Sequence, residues 1–263
     1  MRCKNGVFVT LLLFFISGCS ANVDNVQINH LENNNVTLSS EDDLLDEFED
    51  EMMIEQKPDP FAKYNRVMTS FNDNMYEYVL SPVASGYREV IHQEIRISIE
   101  NFFKNISYPI RLANNIFQGK VQQCGEETAR FLTNTTVGIL GLFDPATSYF
   151  HLKSHNEDFG QTLGFFGVGA GPHIVLPFFG PSNLRDILGL YPDSWLHPID
   201  YQEDRAFNLT KDYGESLGIK LVSRVNYVSL HSKEYEKLKE DAIDLYPYLR
   251  DMYEQYREQQ IKE

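Results

Sequence analysis

Side chains able to bind a metal, a phosphate or a reacting carbonyl occur in a few small sets here, and each set is incomplete. His151 and His155 stand four apart in HLKSHNED, with Glu157 and Asp158 close behind, a spacing that can place two imidazoles on one helical face for a metal. There is no HExxH and no cysteine partner, and the Asn-Glu-Asp cluster after His155 reads as a loop, so surface histidines are the expectation. Gly167, Gly169 and Gly171 could cradle a phosphate, but the run lacks the Lys-Ser/Thr of a P-loop. It also meets Pro172 where a helix N-terminus should offer its amides. No GxSxG marks an activated serine. His173 lies inside an apolar window and is expected to hydrogen-bond backbone rather than act as a base. Cys124 is expected to be a buried thiol. No catalytic group, metal or cofactor emerges from these residues.

Composition narrows the classes further. The chain has 263 residues, 42% hydrophobic, with 23 Lys+Arg against 38 Asp+Glu and a formal charge of −15. That balance argues against nucleic-acid binding, which runs on clustered cations. The cysteines are Cys3, Cys19 and Cys124, too few after the targeting region for a disulfide framework.

Arg2 and Lys4 form a positive n-region and Gly6 to Ile16 an apolar h-region, which is an export signal. As a helix that run would cover roughly 16 Å of a bilayer core about 30 Å thick, too short for a permanent span. Ile16-Ser17-Gly18-Cys19 resembles a bacterial lipobox, which implies a signal peptide over 1–18 and acylation of Cys19. Ser20, where Asp is absent, resembles lipoproteins sorted to the outer membrane. Removing the signal leaves 21 basic against 38 acidic residues and a net −17. Residues 19–58 then read as an extended, self-repelling tether, with eight acidic residues in EDDLLDEFEDE at 41–51.

The folded part of the chain is expected to begin near Asp59. In residues 61–79 Phe61, Tyr64, Val67, Met68, Phe71, Met75, Tyr78 and Val79 recur at three and four, predicting a long amphipathic helix with Asp59 as cap and Pro60 at its first position. Ile91, Ile95, Ile99, Phe102 and Ile106 continue helical spacing, although Ile95, Ile97 and Ile99 also alternate as a strand would. Further helices are predicted from Pro109, over 120–137, over 199–217 and over 238–261, the last kinked or restarted at Pro247. From Leu163 to Gly180 eighteen residues carry no formal charge but include five glycines and two prolines, an irregular apolar stretch rather than a span. The predicted class is all-α.

Four blocks carry a resemblance: DPFAKYNRVMTSFNDNMYEYVLSPVA, FLTNTTVGILGLFDPA, FGQTLGFFGVGAGPHIVLPFFGPSNLRD and YEKLKEDAIDLYPYLRDMYEQYRE. In this order they resemble the MlaA (VacJ) family of outer-membrane lipoproteins, with the third block the most specific. The resemblance implies a helical domain over 59–263, a ring of amphipathic helices embedded in one leaflet around a polar passage. It implies that mislocalised phospholipid is taken from the outer leaflet and passed to a periplasmic lipid-binding shuttle serving an inner-membrane ABC transporter, with trimeric porins as membrane partners. Matched positions would carry these roles: Cys19 the lipid anchor, Asn65 and Arg66 a polar pair, and Ser70, Phe71 and Asn72 the helix beside the passage. Gly164, Gly167, Gly169, Gly171 and Pro177 would form the glycine-rich segment and Arg185 and Asp186 its polar end, where an ion pair capping the loop is the plainer alternative. The acidic tether is longer than is usual in the family, and the chain ends soon after its last helix, where some members carry a tail.

Such a conduit makes physical sense. A phospholipid head group needs a wet path while its acyl chains stay in oil, and 18 Phe and 15 Tyr are abundant interfacial anchors. The competing reading is a structural or adhesive surface lipoprotein on an acidic stalk, followed by an exported hydrolase.

Overall fold

The computed structural model describes residues 59–205 and 208–263; the signal sequence, Cys19 and the acidic tether lie outside them. The Asp59 side chain accepts the Phe61 N–H (2.8 Å), as a cap would, but α1 (Ala62–Met75) opens only at Ala62. The helix predicted over 61–79 is interrupted by a π-helical turn at Tyr76–Leu80, after which α2 (Ser81–Val90) continues with Pro82 in its first turn. The Ile95 to Ile99 alternation resolves as helix: α3 is Gln93–Ile106. Then come α4 (Tyr108–Phe117), α5 (Val121–Thr136) and the short α6 (Pro145–Ser148).

The apolar window is irregular as expected. It holds only the tail of α7 (Phe159–Phe165) and two isolated bridges, His173 with Asn183 and Leu176 with Gly180, before α8 (Leu184–Leu196) starts. The helix predicted over 199–217 is corrected: the chain stays non-helical through Asp212, and α9 (Tyr213–Asp241) follows, a long helix the sequence reading split between two others. The break falls at Ala242 to Asp244, and Pro247 sits in the first turn of α10 (Leu245–Lys262), where a missing N–H costs nothing. Asp144, Asp158, Asn183, Asp212 and Asp244 cap α6 to α10 with side-chain oxygens, each contributing about 1 kcal/mol.

Packing neighbours close on themselves. α1 runs through the π turn into α2, α2 lies on α9, α9 on α3, α3 on α4, α4 on α7, α7 on α10, and α10 returns to α1. The fold is an all-α ring of helices. Its interior is inverted relative to a water-soluble protein. Among the described residues only seven apolar side chains, Pro145 included, are buried, against twenty-six polar or charged ones, while Phe166, Phe179, Leu188, Tyr191 and many other large apolar side chains are exposed. In α1 the buried residues are Asn65 and Thr69, and Phe61, Tyr64, Val67 and Phe71 face outward. Apolar surface on this scale indicates a non-aqueous neighbour. No helix among the described residues is long and apolar enough to cross a membrane.

Candidate lipid-facing site

The glycine-rich segment has too few ladder partners of its own, so side chains of α1 hold it. Asn65, fully buried, donates through Nδ2 to the His173 carbonyl (3.0 Å) and accepts the Val175 N–H at Oδ1 (2.8 Å). Two helical turns later Asn72 repeats the motif, donating to the Leu176 carbonyl (2.9 Å) and accepting from the Phe178 N–H (2.7 Å). Each amide pairs with a peptide as a neighbouring strand would, satisfying groups that are costly to bury unpaired. Phe71 closes the contact edge-on against Phe178, with ring centroids 5.3 Å apart, immediately after Pro177.

The glycines divide into two kinds. At Gly164 a Cβ would lie 2.5 Å from Ile261 Cδ1 and 3.0 Å from an Arg185 guanidinium nitrogen, so this glycine permits close packing of α7 against α10. Gly171 adopts φ +70 with Leu184 Cβ 3.1 Å from the added atom. Gly167 (φ +83) and Gly169 face open space, so neither is needed for packing.

At the far end, Arg185 and Asp186 form the ion pair anticipated as the plainer alternative (3.0 Å), but Asp186 does much more. Its carboxylate also receives Arg257 (2.9 and 3.0 Å), the Tyr253 hydroxyl (2.6 Å) and Asn183 (2.7 Å), and Arg257 in turn holds Asp158 through both amino nitrogens (2.6 and 2.8 Å). Burial pushes the Asp186 carboxyl up, but hydrogen bonds from Arg257 and Tyr253 and the Arg257 charge outweigh this and hold it below its ordinary value. The cluster ties the α7 cap, the α8 cap and α10 together. Sequence reasoning missed Tyr253 and Arg257; their positions four apart on the last predicted helix were the available signal. It also missed Gly160 and Gly189, where α7 and α8 cross so closely that a Cβ on Gly189 would stand 2.6 Å from the Gly160 nitrogen.

Tyr246 and Tyr253, seven apart on α10, link the two ends. The Tyr246 hydroxyl bonds Asp59 and accepts from Asn65 (3.3 Å), while the ring of His173 sits between the two tyrosines at 6.2 and 6.0 Å. The expected backbone hydrogen bond of His173 is corrected. Among the described residues neither ring nitrogen has a hydrogen-bond partner, and the nearest carboxylate oxygen, on Glu254, is 3.8 Å from Nδ1. Burial lowers its pKa against the pull of Glu254 and Asp59, which keeps the ring neutral.

Arg66 and Ser70 lie elsewhere. They line an open crevice of about 510 Å³ between α1 and the α9–α10 junction, where Arg66 pairs with Asp244 (2.6 Å) and Lys239 with Asp73 (2.9 Å). As expected, His151 and His155 lie in a non-helical stretch rather than on one helical face, His151 exposed and His155 half-buried and bound to Glu126 (2.7 Å). No group of three or more metal-type ligands occurs among the described residues. Cys124 is half-buried rather than buried, and burial raises its pKa. Asp193 in α8 accepts from the Phe159 N–H and from Asn114, yet burial raises its pKa to about 6.

Among the described residues the ring has no helix long and apolar enough to cross a membrane, and its polar interior and apolar exterior define a helical ring protein built to meet a non-aqueous phase. Comparison with known proteins specifies it. Residues 57–260 match the family model described as MlaA lipoprotein. The chain is 37% identical over 149 residues to the intermembrane phospholipid transport system lipoprotein MlaA of Escherichia coli, covering 53% of this chain and 59% of that one. It is 31% identical over 207 residues to an uncharacterized protein of Rickettsia felis, covering 78% of each. A solved structure described as the structural basis for maintenance of bacterial outer membrane lipid asymmetry superposes with a TM-score of 0.66 at 28% identity, covering 78% of this chain and all of that one. The chain belongs to the MlaA lipoprotein family.

Proposed function

We propose that this protein maintains outer-membrane lipid asymmetry by taking mislocalised phospholipid from the outer leaflet and passing it toward the periplasm. The observation that carries this reading is the inverted interior: a ring whose buried side chains are amides, carboxylates and guanidiniums while its aromatic and aliphatic ones face out. Acyl chains can stay against the outside while a head group finds polar company within. Relatives named as phospholipid transport lipoproteins support the same activity.

In this reading acylated Cys19 anchors the chain at the periplasmic face of the outer membrane, the 19–58 tether gives it reach, and residues 59–263 form the lipid-handling domain. Asn65, Asn72, Phe71 and Pro177 frame one side of the passage, Gly167 and Gly169 leave room for a moving lipid, and Gly164, Gly171, Arg185 and Asp186 fix its frame. Arg66 and Ser70 offer polar contacts at a mouth. A trimeric porin holds the ring in the membrane, and a periplasmic lipid-binding shuttle feeding an inner-membrane ABC transporter receives the lipid. The protein itself does no bond chemistry, so lipid gradients and partners set direction.

The test is cellular. Cells lacking the protein should accumulate phospholipid in the outer leaflet, and Cys19→Ala should reproduce that loss. Unchanged leaflet composition in the deletion would remove the reading.

A further inference from the structure

The segment from Val137 to Phe143, between α5 and α6, is exposed, greasy and held in an unfavourable backbone conformation. Val137, Ile139, Leu140 and Phe143 expose 65%, 58%, 66% and 55% of their surface. Ile139 and Leu140 have φ of +53 and +59, which side-chain-bearing residues rarely adopt and β-branched ones least of all. Such strain persists only where the surroundings fix it. Here they do: a Cβ on Gly138 would lie 2.4 Å from the Phe143 carbonyl oxygen, and one on Gly141 would lie 2.5 Å from Asn105 Cβ.

The strain serves no packed core, because the apolar side chains it orients point outward. It does complete the backbone. Val137 and Gly138 donate to the Thr133 carbonyl, Leu140 to Thr135, Gly141 to Asn134, Leu142 to Ile139 and Phe143 to Gly138. Among the described residues, the segment's N–H groups are thus satisfied within the loop and the end of α5, that of Ile139 excepted. A loop exposed to water has no need of this economy; in hydrocarbon each unsatisfied group costs several kcal/mol. The charge pattern agrees. No formal charge occurs between Arg130 and Asp144, and these two flanking residues pair with each other (3.0 Å). Tyr149 and Phe150, the former 80% exposed, lie just beyond α6 as interfacial residues would.

We propose that Val137–Phe143 is a rigid wedge that inserts into the acyl chains of the leaflet, setting the depth at which the ring sits. Its occupant is lipid hydrocarbon: a polar protein surface would leave four apolar side chains against water or polar groups, and satisfied N–H groups leave little for an added strand to pair with. The proposal rests on the membrane-embedded reading of the ring and adds which segment goes deepest.

The experiment uses the chain's single tryptophan, Trp195 in α8, half of whose surface is exposed. The acylated protein is reconstituted into phosphatidylethanolamine–phosphatidylglycerol vesicles whose acyl chains carry bromine at shallow or central positions. Leu140→Trp and, independently, Phe143→Trp are placed in a Trp195→Phe background. At both sites central bromines should quench roughly twofold more than shallow ones, as apolar side chains below the head groups would be. Quenching of native Trp195 with none at 140 or 143 would overturn the wedge and leave the embedded ring standing. Absence of quenching at all three positions would overturn both.

Discussion

Asn65 and Asn72 stand two turns apart on α1, and each clasps the same segment by one carbonyl and the N–H two residues on, at 173/175 and 176/178. The glycine-rich segment is therefore read by side chains as a sheet edge would read it. Asn65→Ala leaves the His173 carbonyl and the Val175 N–H unpaired, a cost of about 1–3 kcal/mol for each buried group, whereas Asn72→Ala strips only the exposed Phe178 N–H, since the Leu176 carbonyl keeps the Gly180 N–H (3.0 Å), and should cost less. Hydrogen exchange should show the Val175 amide losing protection in Asn65→Ala and the Phe178 amide in Asn72→Ala. Unchanged protection at these two amides would contradict the clasp.

Arg257 holds two carboxylates, the α7 cap Asp158 and Asp186 in the first turn of α8. Arg257→Met should destabilise the protein by about 3–5 kcal/mol, because Asp186, in a largely dry place, loses the cation it shares with the more exposed Asp158. The single change Asp158→Asn should cost less, since Asp186 keeps Arg257 and Tyr253. Thermal unfolding in detergent would separate the two, and equal losses would argue against Asp186 as the shared centre.

Two helical glycines should respond with opposite sign. Gly189→Ala drives a Cβ against the Gly160 backbone and should destabilise by about 1–3 kcal/mol, whereas Gly218→Ala, with nothing within 4 Å, should gain about 0.5–1 kcal/mol from helix propensity. Comparing the two midpoints checks whether α7 and α8 cross as tightly as their geometry indicates.

Much of this was legible in the sequence, and the failures have physical causes. The three-and-four spacing of Phe61 to Val79 located α1, although the helix opens at Ala62 rather than at Pro60, because such periodicity reports a boundary between two environments and not the exact first turn. It does not report which of them is water, so that Asn65 is buried and that Asn65 and Asn72 grip the glycine-rich segment shows only in the fold. The stretch after Ile199 has apolar residues at helical spacing, but Asp200 is engaged by Ser194 (2.7 Å) and Lys220 (2.7 Å) and Thr210 by the Ile199 carbonyl (3.0 Å), tertiary contacts that override local preference. Gly160 and Gly189 were unreadable for a related reason: a glycine required by a partner helix looks like any other until that helix is in place.

Asp193 gives a pH dependence of definite sign. Its carboxyl titrates near 6 in the fold against 3.8 when exposed, because burial disfavours the ionised form. The folded state therefore holds the proton more tightly. This group's contribution is full below pH 3.8 and falls by about 3 kcal/mol as pH rises through 6. Asp193→Asn, which mimics the protonated acid, should gain on the wild type as pH goes from 4 to 7. A stability difference independent of pH would refute the assignment.

Transfer of lipid can be measured with the acylated protein in vesicles carrying a labelled phospholipid, with a soluble lipid-binding acceptor outside. Labelled lipid should appear in the acceptor intact, at a rate that depends on the protein and falls when Gly167 or Gly169 is made bulky. Arrival of cleaved lipid, or a rate no different from protein-free vesicles, would contradict it.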